Sequence, residues 1–245
     1  MTTPQALRKR WKIAVAVVVV FAVMGWMVGL PAYQRHQAIQ GIERAGGEIH
    51  REDRTSSWFA RLIRLNWRGQ IVGVTFFRAG KKYNSRGLQH IPSLPTIEWV
   101  ILNDSLSNGE GLEYLNDTDV KTLQIGDSLI DDNGLKHARG LKGLEALLLD
   151  DTEITDDGLA HLSGLTNLVS LSLDWTKISN DGLEHLTSLT NLRSLSLTGT
   201  RISDDGLKHL RGLTNLTRLT LVDTNVSDDG VEKLQESLRS CTILH

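Results

Sequence analysis

The chain has 245 residues, a near-neutral formal charge of −2, 5% aromatic residues, four prolines and one cysteine. Lone Cys241 excludes an intrachain disulfide and a thiolate metal cluster. Charge is uneven: residues 1–30 carry four bases and no acid, residues 31–70 seven bases against four acids, and the remainder 16 against 25, so the long carboxy-terminal part is too acidic to offer nucleic acid the basic face its phosphates require.

In chain order, residues 1–12 form a basic tail with Arg8, Lys9, Arg10 and Lys12, read as cytoplasmic. Residues 13–30 then run without a charge or an amide, long enough for a helix to cross a bilayer, with Trp11 and Trp26 near the ends where indoles sit. By the positive-inside rule the amino terminus stays in the cytoplasm and everything after residue 30 lies across a plasma or inner membrane. A cleaved secretory signal is the rival, but residues 27–32 offer no small-x-small site, so an uncleaved anchor is favoured.

Residues 31–69 are predicted to form an amino-terminal cap. Residues 33–45 read as a helix with Ala38, Ile39, Ile42 and Ala45 on one face, stopped by Gly46 and Gly47. Residues 48–52 read as a strand, 57–65 as a short helix and 71–77 as a second strand.

From residue 70 to 236 the chain is repetitive, loosely at first and with a 24-residue period from Asp117 onward. The clearest copies are 141–164, 165–188, 189–212 and 213–236, which line up on the pattern LxxLxxLxLxxTxI(S/T)DDGLxxLxx, with Asn180 standing in for one of the Asp residues. Within a copy, Leu171 and Leu173 alternate with Ser170, Ser172 and Asp174, the period of a half-buried strand. Ile178, Leu183 and Leu186 come next, at the wider spacing of a bend and about two helical turns. One such unit cannot bury its own leucines, so copies must stack, with Leu147, Leu171, Leu195 and Leu219 in one core row and Ile154, Ile178, Ile202 and Val226 in another. About seven coils are expected, a sheet near 30 Å across at roughly 4.8 Å per strand. Residues 237–245 supply a last partial strand as the closing cap.

These residues resemble the leucine-rich-repeat family, over well more than half of the chain. The resemblance implies an α/β solenoid with parallel strands on the concave side and short helices on the convex side. Ile42, Glu43, Gly46 and Gly47 are similar to an Ile-Glu-x-x-Gly-Gly stretch in membrane-anchored bacterial members of that family. Ile154 to Leu159 resembles the I-T-D-x-G-L stretch of F-box leucine-rich-repeat receptors, but a membrane segment stands where those need an adaptor bundle.

Three polar ladders run through the repeats. Thr152, Thr176, Thr200 and Thr224, with Ser128, are expected to donate to a carbonyl of the adjacent coil. The pairs Asp131-Asp132, Asp156-Asp157, Asp204-Asp205 and Asp228-Asp229 are expected to cap the turns after them rather than hold calcium. His90, His137, His161, His185 and His209 are expected to be half-buried spacers, since helices 8–10 Å apart set imidazoles too far from one another to share a zinc ion.

No phosphate loop, nucleophile elbow or zinc-protease motif occurs, so no catalytic, cofactor or metal residue is assigned. The expected function is non-catalytic protein binding. The other readings are a self-associating envelope scaffold and, third, an F-box-like substrate receptor. Strand alternation exposes Trp99, Ile101, Leu148, Asp150, Ser170, Ser172, Asp174 and Arg218, with Trp175 at the rim, and these are the candidate contact residues. The other use for Trp99 is to cover the junction with the cap. Asn103, Asn116, Asn215 and Asn225 open Asn-x-Ser/Thr triplets, which the repeat composition also produces by chance.

Overall fold

The computed structural model describes residues 30–52, 70–76, 85–94, 96–103 and 108–245. Residues 1–29, which hold the basic tail and all but the last residue of the expected anchor, and the expected helix at 57–65 lie outside the described residues. Among the described residues no helix is long and apolar enough to cross a membrane.

Among the described residues nine strands make one sheet in chain order. They are β1 (Gly47–Glu52), β2 (Gln70–Phe76), β3 (Trp99–Ile101), β4 (Thr122–Gln124), β5 (Ala146–Leu148), β6 (Ser170–Ser172), β7 (Ser194–Ser196), β8 (Arg218–Thr220) and β9 (Thr242–Leu244). β1 runs antiparallel to β2, and every later pair is parallel. The strands β2 to β8 correspond to the seven expected coils, and β9 to the closing strand. Parallel register puts Leu147, Leu171, Leu195 and Leu219 side by side, each of them buried. Full burial of one such leucine contributes about 2–3 kcal/mol, so a row that no single coil could shelter becomes the main stabilising element.

The return path differs from coil to coil, from the 3-10 turn Leu207–His209 to the eight-residue α-helix Asp228–Gln235. One α turn, Asp156–Leu159, tightens directly into a 3-10 turn, Ala160–Leu162; in other coils only the 3-10 turn forms, as at Gly182–Leu186. Leu159, Leu162, Leu183 and Leu186 still point inward and are fully buried.

The amino-terminal cap is a helix, α1 (Leu30–Arg44), followed by β1. Ala38 and Ile42 are its buried residues. Gly46 ends it with φ +87°, a left-handed turn that glycine makes without strain. Gly47 matters for a different reason: a Cβ there would lie 2.6 Å from both Ile42 and the Phe76 ring. The paired glycines thus let buried Phe76 close the core end.

The polar ladders divide their tasks differently from the expectation. Each threonine hydroxyl donates to the carbonyl three residues back in its own coil: Thr152 to Leu149 (2.6 Å), Thr176 to Leu173 (2.7 Å) and Thr200 to Leu197 (2.6 Å). Three residues is the span of a tight turn, so a short hydroxyl reaches its own strand end before any neighbour. Coils are tied together instead by the carboxylate two residues before the glycine of each motif, Asp132, Asp156 and Asp204. Thr155 donates from its N–H (2.8 Å) and hydroxyl (2.6 Å) to Asp132, Ser179 does so to Asp156 (2.7 and 2.6 Å), and Ser227 to Asp204 (2.8 and 2.6 Å). Asn180 does the same work with an amide, accepting from the Ser203 N–H (2.9 Å) and donating to its hydroxyl (2.8 Å). Helix capping falls to the residue three before that glycine: Ser227 accepts from the Gly230 N–H (3.1 Å), and Asp131 from the Gly134 N–H (2.9 Å).

The ladder also explains the glycine of the DDG motif. A Cβ at Gly158, Gly182, Gly206 or Gly230 would meet the side-chain oxygen of Asp132, Asp156, Asn180 or Asp204 at 2.3, 2.3, 2.4 and 2.1 Å. The glycine of one coil makes room for the carboxylate or amide of the coil before it. A third tie lies on the loop before each strand, where Asn167, Asn191 and Asn215 amides each donate at 2.8 Å to a carbonyl of the preceding coil.

Candidate protein-binding face

Strand register decides which side chains share the open face. Trp99, Thr122, Ala146, Ser170, Ser194 and Arg218 form one row, and Ile101, Gln124, Leu148, Ser172, Ser196 and Thr220 a second. All are half-buried except Arg218, which is exposed. The candidates Ile101, Leu148, Ser170, Ser172 and Arg218 therefore lie on one continuous surface, as strand alternation required.

Trp99 is held at the cap junction. Its indole lies over Gly73, where a Cβ would fall 2.0 Å from the ring, and against His50 with ring centroids 4.8 Å apart at 43°. The His50 Nε2 is in turn 2.9 Å from the Thr75 hydroxyl. Much of this indole is therefore committed to joining β1, β2 and β3.

Asp150 and Asp174 are staples at the strand ends. Asp150 accepts from the Asp174 N–H (3.1 Å) and, through a short bond, from the Ser172 hydroxyl. Asp174 accepts from the Thr198 N–H (2.8 Å), and Asn103 from the Gly126 N–H (3.0 Å). Burial pushes the Asp150 carboxyl above the usual range; its two hydrogen bonds oppose that rise, while the nearby charges of Asp174 and Asp151 add to it.

One residue further on lies a row that strand alternation does not reveal. Asp127, Asp151, Trp175, Gly199 and Asp223 all have φ between 52° and 66°. Their left-handed backbone lets the N–H of each coil reach the next one: Asp127 to Asp150 (2.9 Å), Asp151 to Asp174 (2.9 Å), Trp175 to Thr198 (2.7 Å) and Gly199 to Val222 (2.9 Å). The signal was present, since Asp or Gly recurs at this point of the period and both tolerate that conformation. Trp175 is the exception in type, and it is 53% exposed.

The histidine column is half-buried throughout. His137 Nδ1 lies 3.4 Å from Glu113; burial, with Arg139 nearby, pushes His161 below the usual imidazole value. Among the described residues no group of three or more His, Cys, Asp or Glu is placed to hold a metal ion.

A family model described as leucine-rich repeat matches residues 164–186, 188–210 and 212–234. Among solved structures, the chain is similar to an internalin C2 from Listeria monocytogenes at 28% identity and TM-score 0.59, over 71% of this chain and 70% of that one. It is also similar in fold to an internalin (inlF) from the same organism at 21% identity and TM-score 0.50, over 69% of this chain and 52% of that one. No curated protein matches.

Proposed function

We propose that this chain, which carries leucine-rich repeats between residues 164 and 234, is a non-catalytic protein-binding module, anchored by residues 13–30 and displaying its solenoid outside the cytoplasm. The observation that carries this reading is the open sheet face: two rows of mostly small side chains, in register over β3 to β8, backed by an unbroken leucine core. Strands about 4.8 Å apart set that face roughly 25 Å across from β3 to β8. Carboxylates on this side recur with the period and spend their lone pairs on neighbouring coils, an arrangement suited to rigidity and not to general acid–base work. For the anchor, support comes from the uninterrupted apolar run, the four bases before it and the absence of acids among residues 1–30.

Protease added outside intact cells should remove the solenoid, and complete protection would refute the topology. Photo-crosslinkers placed at Ser172 and Ser196, in the middle of the face, should capture a protein partner that crosslinkers at Asp157 and Asp205 on the helical side do not. Recovery of this chain alone would favour the self-associating scaffold.

A further inference from the structure

Trp175 stands where the repeat otherwise places Asp or Gly, in a left-handed backbone with φ 57°. A bulky residue is uncommon there because its Cβ crowds the following carbonyl. Core burial does not explain the choice, since more than half of the side chain is exposed. The indole lies instead on the next coil, where a methyl at Gly199 would fall 2.3 Å from Cε3 and 2.5 Å from Cδ2. One side of the ring rests on backbone, and the rest faces solvent. Beyond Gly199 the following coil brings Val222, 37% exposed, to the same edge.

The charges in the two rows that meet at this plate are acidic, and the nearest bases, Lys177 and Arg201, stand one exposed row further on, Lys177 paired with Glu153. Asp151 precedes it in the left-handed row, Asp174 precedes it in the chain and Asp223 lies beyond Val222, while neither this row nor the row before it contains Lys or Arg. From Asp151 to Asp223 is three coil spacings, roughly 15 Å, which four to five extended residues span.

We propose that this rim receives a basic segment of a protein partner, with an arginine or lysine laid over the Trp175 ring, its aliphatic stem toward Val222 and its charge among Asp151, Asp174 and Asp223. The proposal rests on the protein-binding reading and specifies the partner's chemistry. An indole face attracts a cation, the guanidinium plane stacks on it, and the methylene stem covers apolar surface that a carboxylate ligand would leave wet.

The test titrates a labelled hexa-arginine peptide onto the full chain in mild non-ionic detergent, read by fluorescence anisotropy. Trp175→Ala should weaken binding about three- to thirtyfold, the range of one cation–π contact. The pair Asp151→Asn and Asp223→Asn, which keeps residues tolerant of the left-handed backbone, should weaken it and flatten its salt dependence. The pair Asp157→Asn and Asp205→Asn, which removes equal charge on the helical side, should change it little. Equal loss from both charge pairs, unchanged binding by Trp175→Ala, or displacement of the peptide by a neutral oligosaccharide would each overturn the proposal. If crosslinkers at Ser172 and Ser196 still capture a protein when the peptide result fails, protein binding stands and only the basic segment falls.

Discussion

Gly182→Ala should reverse the sign of its effect when Asp156 is removed. Gly182 opens a 3-10 turn with an ordinary negative φ, so alanine meets no backbone strain and gains up to about 1 kcal/mol of helix propensity. Its methyl, however, would lie 2.3 Å from Asp156 Oδ1, with the Leu159 Cδ1 methyl at 3.1 Å. The leucine can shift by a few tenths of an ångström, but the carboxylate holds Ser179 at 2.7 and 2.6 Å. Swinging it aside forfeits two hydrogen bonds to a charged group, each about 1.5 kcal/mol at the low end of the usual range. Net destabilisation in the parent chain should be about 2 kcal/mol. On an Asp156→Ala background the same change should be neutral or stabilising by up to about 1 kcal/mol, a coupling near 3 kcal/mol. Urea unfolding followed by circular dichroism, with m held constant across the four chains, measures the cycle. Equal effects of Gly182→Ala on both backgrounds would show that the glycine is not there to admit the carboxylate.

Three further outcomes concern the rim and the ladder. The Asp150 carboxyl is raised in the folded chain, so its protonated form favours folding, and that contribution is present below the ordinary carboxylate pKa and lost as pH rises through the raised value; Asp150→Asn should therefore gain on the parent between pH 3 and 7. The Asp204 carboxyl is lowered, chiefly by the Ser227 hydroxyl and then by its N–H, so Asp204→Asn should show its deficit at pH 7 and lose it as pH falls below the ordinary value. Thermal unfolding across pH reads both, and parallel profiles would refute the assignment. Gly199→Ala should destabilise by about 1–2 kcal/mol for its left-handed backbone, plus the displaced indole, and Trp175→Ala should recover only the second part. Chemical denaturation of the three variants separates the parts, and full recovery would remove the backbone argument.

Much of this architecture is legible from residue spacing because burial acts on every coil alike. Leu171 and Ile178 recur with the period, and each must face the core. The cap is readable for a related reason: Ala38 and Ile42 lie on one helical face, and two glycines end it. Hydrogen-bond direction is not readable. Thr176 and Asp156 are both short polar residues near a bend, and whether each reaches its own coil or the next depends on ångström-scale placement that periodicity does not carry. The same holds for Trp99, whose position in the exposed row is evident while its stacking on Gly73 and His50 depends on where the cap packs.

The links from Thr155, Ser179, Ser203 and Ser227 all point backward, each seating two hydrogen-bonding groups on the side chain of the coil before. The rod is therefore polar in its wiring. Severing it between any two of these coils leaves an acceptor without a guest on the amino side and two homeless hydrogen-bonding groups on the carboxy side. Fraying at one end is thus chemically unlike fraying at the other, and His245 Nε2 lies 2.9 Å from Asp228, the last carboxylate of this series.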